Sequence, residues 1–131
     1  IWRAQGPPKT KVDDLLSGTA IILLVDDEPV TREAMVRLLE AADCRVFDTY
    51  NGEDALQLLD AHPEITLLLS DVRMPGMTGI ELADKARKRR PALKIILTSG
   101  YTLERPKDFP FLEKPWRAPE LKKLLERPEP R

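Results

Sequence analysis

Short apolar runs alternate along this chain with longer stretches in which apolar residues recur every three or four positions. The runs at 20–25, 65–70 and 93–98 are nearly continuous, as in strands buried on both faces of a parallel sheet. Residues 44–50 alternate instead, with Val46, Asp48 and Tyr50 opposite Arg45, Phe47 and Thr49, which suits an edge strand. Val30, Ala34, Leu38 and Ala41 stand four, four and three apart, marking one apolar face of a helix that Pro29 opens and that ends near Ala42. Asn51-Gly52 turns the chain, and Asn51 caps a helix carrying Ala55, Leu58 and Leu59 that Pro63 stops. Thr78 and Glu81 form a capping box heading a helix that runs to about Arg90. Pro119 opens a last helix with Leu121, Leu124 and Leu125 facing inward; its cap, Ala118, costs about 1 kcal/mol relative to Ser or Asp.

One segment breaks this rhythm. About ten residues, Pro106 and Pro110 among them, separate Thr98 from a short strand at 109–112. A parallel crossover usually needs roughly a dozen residues and a helix. The helix due there is therefore expected to be shortened or lost, with at most one turn over 101–105. The whole pattern predicts an α/β, doubly wound, five-stranded parallel sheet with four full helices, flavodoxin-like in strand order 2-1-3-4-5. Residues 1–18, with Pro7-Pro8 and solvated Lys9, Lys11, Asp13 and Asp14, read as a linker or the end of a preceding domain, in which Val12, Leu15 and Leu16 suit one helical turn. The folded domain is expected over 19–127, with a frayed tail at 128–131.

Composition narrows the function. A length of 131 residues suits one domain, and 42% hydrophobic with 33% charged residues excludes disorder over most of it. A net charge of −1 gives no reason to expect direct nucleic-acid binding. Cys44 is the only cysteine, so an internal disulfide is excluded and a reducing compartment expected. No apolar run approaches the ~18 residues a membrane span requires, and no signal-peptide pattern opens the chain. The expected setting is cytoplasmic, without membrane contact.

The candidate chemistry gathers around residues 67–79, LLLSDVRMPGMTG. An apolar strand delivers Asp71 to a loop punctuated by Pro75, Gly76 and Gly79, and open parallel sheets place their chemistry beyond the carboxyl ends of the strands. The first strand ends at Asp26 and Asp27, the fourth at Thr98, and the short fifth leads to Lys114. If these ends converge, the carboxylates repel one another unless a divalent cation resolves the conflict. Magnesium suits such a site, because it takes hard oxygen ligands and leaves room for phosphate oxygens. Asp27 and Asp71 could bind it directly, the backbone carbonyl of Arg73 could complete the protein side, and Asp26 could act through water. Asp71 then has the setting of a nucleophile that accepts a phosphoryl group. Lys114 supplies positive charge and Thr98 a hydroxyl donor.

Four segments carry a family resemblance: LLVDDEP (23–29), SDVRMPGMTG (70–79), LTSGY (97–101) and FLEKPW (111–116). In this order and at these spacings, over about residues 20–126, the chain resembles a receiver domain of the two-component response regulator family. The resemblance implies that Asp71 is phosphorylated by a histidine kinase or histidine phosphotransfer domain. It further implies that Asp26 and Asp27 hold Mg2+, that Lys114 contacts the phosphoryl group, and that Thr98 and Phe111 are the switch residues. It implies a cis Lys114–Pro115 bond, and a phosphoacceptor limited to self-dephosphorylation rather than an enzyme in its own right. The SGY segment with a shortened helix is closest in style to receivers of hybrid sensor histidine kinases.

Plainer readings stand beside these. Phe111 and Trp116 also suit core packing, Arg73 a solvated loop, and His62 a solvated helix end. The basic run Lys85, Arg87, Lys88, Arg89 and Arg90 suits a helix C-terminus matched to its dipole. Two further functions compete: a pseudo-receiver acting as a protein-interaction module, and an aspartate-nucleophile phosphohydrolase. The latter is expected to carry a second acid two residues past the nucleophile, where this chain has Arg73. A flavin carrier is disfavoured because Asp26-Asp27-Glu28 would repel the flavin phosphate.

Overall fold

The computed structural model describes residues 21–42, 44–100 and 106–125. The expectations for 1–18, for a turn over 101–105 and for the tail at 128–131 lie outside the described residues, as do the side chains of Leu124 and Leu125. In chain order the elements are β1 (Ile21–Val25), α1 (Pro29–Ala41), β2 (Arg45–Thr49), α2 (Gly52–Ala61), β3 (Leu67–Asp71), α3 (Gly79–Arg89), β4 (Lys94–Ser99), β5 (Phe111–Glu113) and α4 (Ala118–Leu125).

All strand pairs are parallel, in the order β2-β1-β3-β4-β5. The near-continuous apolar runs occupy the middle of the sheet because alternate residues enter different cores. Leu23, Val25, Leu68, Ile95 and Leu97 pack against α2 and α3. Ile22, Leu24, Leu67, Leu69 and Ile96 pack on the other face, where α1 and α4 contribute Val36, Leu39 and Leu121. The alternating 44–50 segment is indeed the edge strand. Asn51 caps α2 by accepting the Asp54 N–H at 2.7 Å. Thr78 and Glu81 form the reciprocal capping box of α3, at 3.2 and 2.9 Å, and these bonds hold the Glu81 carboxyl below its usual range.

The inward face of α1 corrects the expectation from spacing. Met35, Val36 and Leu39 are buried, whereas of the expected stripe only Leu38 packs partly against the core, Val30 being 79% exposed and Ala34 and Ala41 exposed. At about 100° per residue the two stripes lie on roughly opposite sides of the helix. Both satisfy helical spacing, but the stripe bearing Met, Val and Leu removes more apolar surface from water than one containing two alanines.

The cap of α4 is corrected as well. The helix begins at Ala118 itself, so Arg117 stands at the cap, its N–H accepted by Glu120 Oε1 at 2.9 Å.

The shortened crossover holds among the described residues, since 106–110 contain no helix. Phe109 from this segment is buried in the core shared with α2 and α3, with the Arg87 guanidinium 4.7 Å above its ring. One aromatic side chain thus covers sheet surface that a full helix would otherwise shield.

Candidate functional site

Asp71 is the last residue of β3 and is 8% exposed. The backbone beyond it folds back tightly: Val72 N–H donates to Thr98 O, and Gly79 N–H to Val72 O, both at 2.9 Å. A Cβ on Gly79 would lie 2.0 Å from the Asp71 carbonyl oxygen, so the close approach of α3 to the strand end requires glycine here. Gly76, at φ +75°, supplies the left-handed turn within the loop.

Asp26 extends β1 by one rung, its N–H donating to Thr49 O at 3.2 Å. Its side chain is fully buried, and Oδ1 accepts the Glu28 N–H at 2.9 Å. Asp27 follows, half-buried. Lys114 enters from beyond β5, fixed by its own N–H on Ser99 O at 2.9 Å, and the Lys114–Pro115 bond is cis. Its Nζ stands 2.8 Å from Asp26 Oδ2 and 3.4 Å from Asp71 Oδ2.

The electrostatics follow from this crowding. Burial pushes the Asp71 carboxyl up; Lys114 opposes the rise while the charges of Asp26 and Asp27 add to it, and the result is about 6. Burial alone would lower the Lys114 ammonium, but the hydrogen bond and charge of Asp26, joined by Asp71, hold it above its usual range.

Carboxylate oxygens of Asp26, Asp27 and Asp71 lie within 4.8 Å of one another. They face an open cleft of about 530 Å³ that Arg73, Ser99, Gly100 and Lys114 also line. Three hard anionic donors at this spacing, beside room for a phosphate, suit a small oxygen-seeking dication. Arg73 follows Asp71 by two residues and lines the same cleft.

Five of the predicted site residues thus line one cleft: Asp26, Asp27, Asp71, Arg73 and Lys114. Thr98 is a correction. It is fully buried, and its hydroxyl donates to Leu112 O at 2.5 Å, tying β4 to β5. The residue of the β4 end that lines the cleft is Ser99, which the sequence reading missed. The strand runs one residue beyond the apolar stretch, and the strand-end rule applied to its true end selects Ser99. Glu28 and Thr31, also overlooked, form the rim above Asp27 and are hydrogen-bonded to each other. Phe111 is half-buried against the core.

The basic run has structural partners. Arg89 pairs with Asp60, and the Arg90 guanidinium donates to the carbonyls of His62, Pro63 and Ile65, joining the end of α3 to the loop before β3. Among the described residues, no helix is long and apolar enough to cross a membrane.

The family model for the response regulator receiver domain matches residues 22–126. Sensor kinase CckA of Brucella abortus (strain 2308) is 36% identical over 124 residues, covering 86% of this chain but only 13% of that protein. Response regulator receiver protein CpdR of the same organism is 35% identical over 113 residues, covering 81% of this chain and 93% of CpdR. Among solved structures, response regulator TrrA of Thermotoga maritima in complex with Mg(2+)-BeF superposes with a TM-score of 0.73 at 32% identity, covering 79% of this chain and 94% of that one. A structure of histidine kinase ThkA in complex with TrrA gives a TM-score of 0.71 at 31% identity, covering 82% and 99%.

Proposed function

The chain belongs to the response regulator receiver domain family, and from that premise we propose that it is a phosphoacceptor in two-component phosphorelay signalling, with Asp71 as the acceptor. The observation that carries the reading is the carboxylate of Asp71, nearly buried at a strand end, with Asp26, Asp27 and Lys114 around it. In the reaction, one Asp71 carboxylate oxygen forms a bond to phosphorus while the P–N bond of a phosphohistidine breaks. The bonding pair leaves with the imidazole nitrogen, and the product is an acyl phosphate. Asp26 and Asp27, with Asp71 and the Arg73 carbonyl, would hold Mg2+, which supplies charge neutralisation for the transferring phosphoryl oxygens.

Lys114 adds a mobile positive charge to the same oxygens. Ser99, rather than Thr98, offers the hydroxyl at the cleft. Its bonding to a phosphoryl oxygen would draw on the β4 end, to which Lys114 is itself fixed, and Phe111 on the neighbouring strand stands where the response would be felt. Hydrolysis of the acyl phosphate returns the carboxylate and inorganic phosphate, and this self-dephosphorylation is the only turnover proposed. The phosphoryl donor is a histidine kinase or a histidine phosphotransfer domain. The likeness to CckA favours a hybrid histidine kinase as the parent protein.

The test is intact mass after incubation with Mg2+ and acetyl phosphate. A gain of one phosphoryl group, about 80 Da, is expected for the wild type, abolished by Asp71→Asn and by chelation of the metal. Uptake of the same group by Asp71→Asn would overturn the assignment.

A further inference from the structure

Asp26 is tethered through every polar atom it has. Its N–H reaches Thr49 O, its side-chain oxygens take the Glu28 N–H and the Lys114 ammonium, and its carbonyl accepts from Arg32 at 2.9 Å. The last of these comes from α1, one turn past the acidic pair, and belongs to a larger arrangement. Arg32 Nε stands 3.3 Å from Asp48 Oδ2, with side chains only 20% and 7% exposed, and its guanidinium lies 6.0 Å from the centre of the Tyr50 ring. Neither Arg32 nor Asp48 lines the cleft, so neither is a ligand. Burying this ion pair carries a desolvation cost that apolar side chains in its place would avoid. It joins the carboxyl ends of β1 and β2 to α1 at the point where the chain leaves the sheet to present Asp27.

We propose that Arg32 and Asp48 form a buried clamp that positions the acidic pair for Mg2+, Arg32 holding the Asp26 carbonyl and Asp48 holding Arg32. This rests on the metal site proposed above. Asp26 is the last residue of this strand end fixed by the sheet, and Asp27 reaches the cleft from it. Without the Arg32 bond, the path from Val25 to Pro29 is anchored by fewer contacts and the Asp27 carboxylate is no longer held beside Asp71. Partners of this indirect kind typically contribute about 10- to 100-fold to metal affinity.

The sign of the effect separates positioning from charge. Arg32 is a cation near an acidic site, so through-space electrostatics alone predicts that its removal tightens Mg2+ binding. Positioning predicts the reverse.

The test is calorimetric titration of Mg2+ into wild type, Arg32→Met, Arg32→Lys and the double variant Arg32→Met/Asp48→Leu, with thermal melts of each in EDTA. Arg32→Met is expected to weaken Mg2+ binding by about 10- to 100-fold, and Arg32→Lys, which keeps a charged N–H donor without the planar fork, to recover part of the loss. The double variant also removes the buried carboxylate that Arg32→Met deprives of its guanidinium, so its melting temperature is expected to return towards wild type while Mg2+ binding stays weak. That double variant carries the test even if Arg32→Met fails to fold. A folded double variant that binds Mg2+ as tightly as wild type, or more tightly, overturns the clamp alone. A wild type that binds no Mg2+ overturns the metal-site reading and the clamp with it.

Discussion

Replacing Asp71 by Asn should stabilise the protein at neutral pH while abolishing phosphoryl uptake. The Asp71 carboxyl is raised from an ordinary 3.8 to about 6, burial being the main cause. At about 1.4 kcal/mol per decade, keeping this carboxylate ionised in the folded state costs roughly 3 kcal/mol. The side chain is only 11% exposed, so solvent screens little of this. The opposing charge of Lys114, 3.4 Å away, is already contained in that net rise, so a neutral Asn should gain about 3 kcal/mol, or roughly 12 °C in melting temperature for a domain of this size.

The pH dependence identifies the cause. Between about pH 4 and pH 6 the folded state retains a proton that the unfolded state has released, so the wild type loses stability as pH rises through that window, and this loss is complete above it. The gap between Asp71→Asn and wild type should therefore be close to zero at pH 4, open through pH 5 and 6, and stay constant to pH 8. Thermal melts of both proteins in EDTA at each pH measure it. An Asn variant no more stable than wild type at pH 7.5, or a gap that does not change with pH, would refute the argument that burial strains this carboxylate. Excess Mg2+ should narrow the gap, because the metal binds the folded wild type through the carboxylate that the variant lacks.

Five further substitutions test the geometry. Gly79→Ala places a Cβ against the Asp71 carbonyl, a backbone atom that cannot yield; urea unfolding should show a loss of about 1–3 kcal/mol, and acetyl-phosphate labelling should slow. Ser99→Ala should slow phosphoryl uptake in acetyl-phosphate labelling, because Ser99 lines the cleft. Thr98→Val, which deprives Leu112 O of its buried donor, should instead cost about 1 kcal/mol by urea unfolding and leave labelling nearly intact. Leu39→Ala should cost about 2–5 kcal/mol by the same method, while Val30→Ala stays within about 0.5 kcal/mol, because the first side chain is buried and the second faces solvent.

Much of the architecture was legible along the chain because each element carries its own local signal. Period-two and continuous apolar runs separated edge from central strands, Asn51 and Thr78–Glu81 marked helix starts with side chains that bond the first free N–H groups, and proline spacing exposed the shortened crossover. The acidic pair, Asp71 and Lys114 were also visible, because parallel strands deliver their last residues to one edge. Errors arose where two local solutions were equivalent. Both stripes of α1 obey helical spacing, and nothing in the spacing says which side meets the sheet. Thr98 and Ser99 are adjacent hydroxyls at one strand end, and a shift of one residue exchanges the hydroxyl bound to Leu112 O for the one at the cleft.

The sequence by itself determined the alternation of strands and helices, the parallel sheet and the residues that gather at its carboxyl edge, since these depend on periodicity, caps and chain length. Only the tertiary structure decided what depends on contacts between distant segments. It set the face of α1 by the apolar area available to the sheet, and chose Ser99 over Thr98 by where β4 ends. It raised the Asp71 carboxyl by burying it, and it joined Arg32 to Asp48 across 16 positions of sequence. Burial and partner choice are properties of the packed chain, and spacing along the backbone does not encode them.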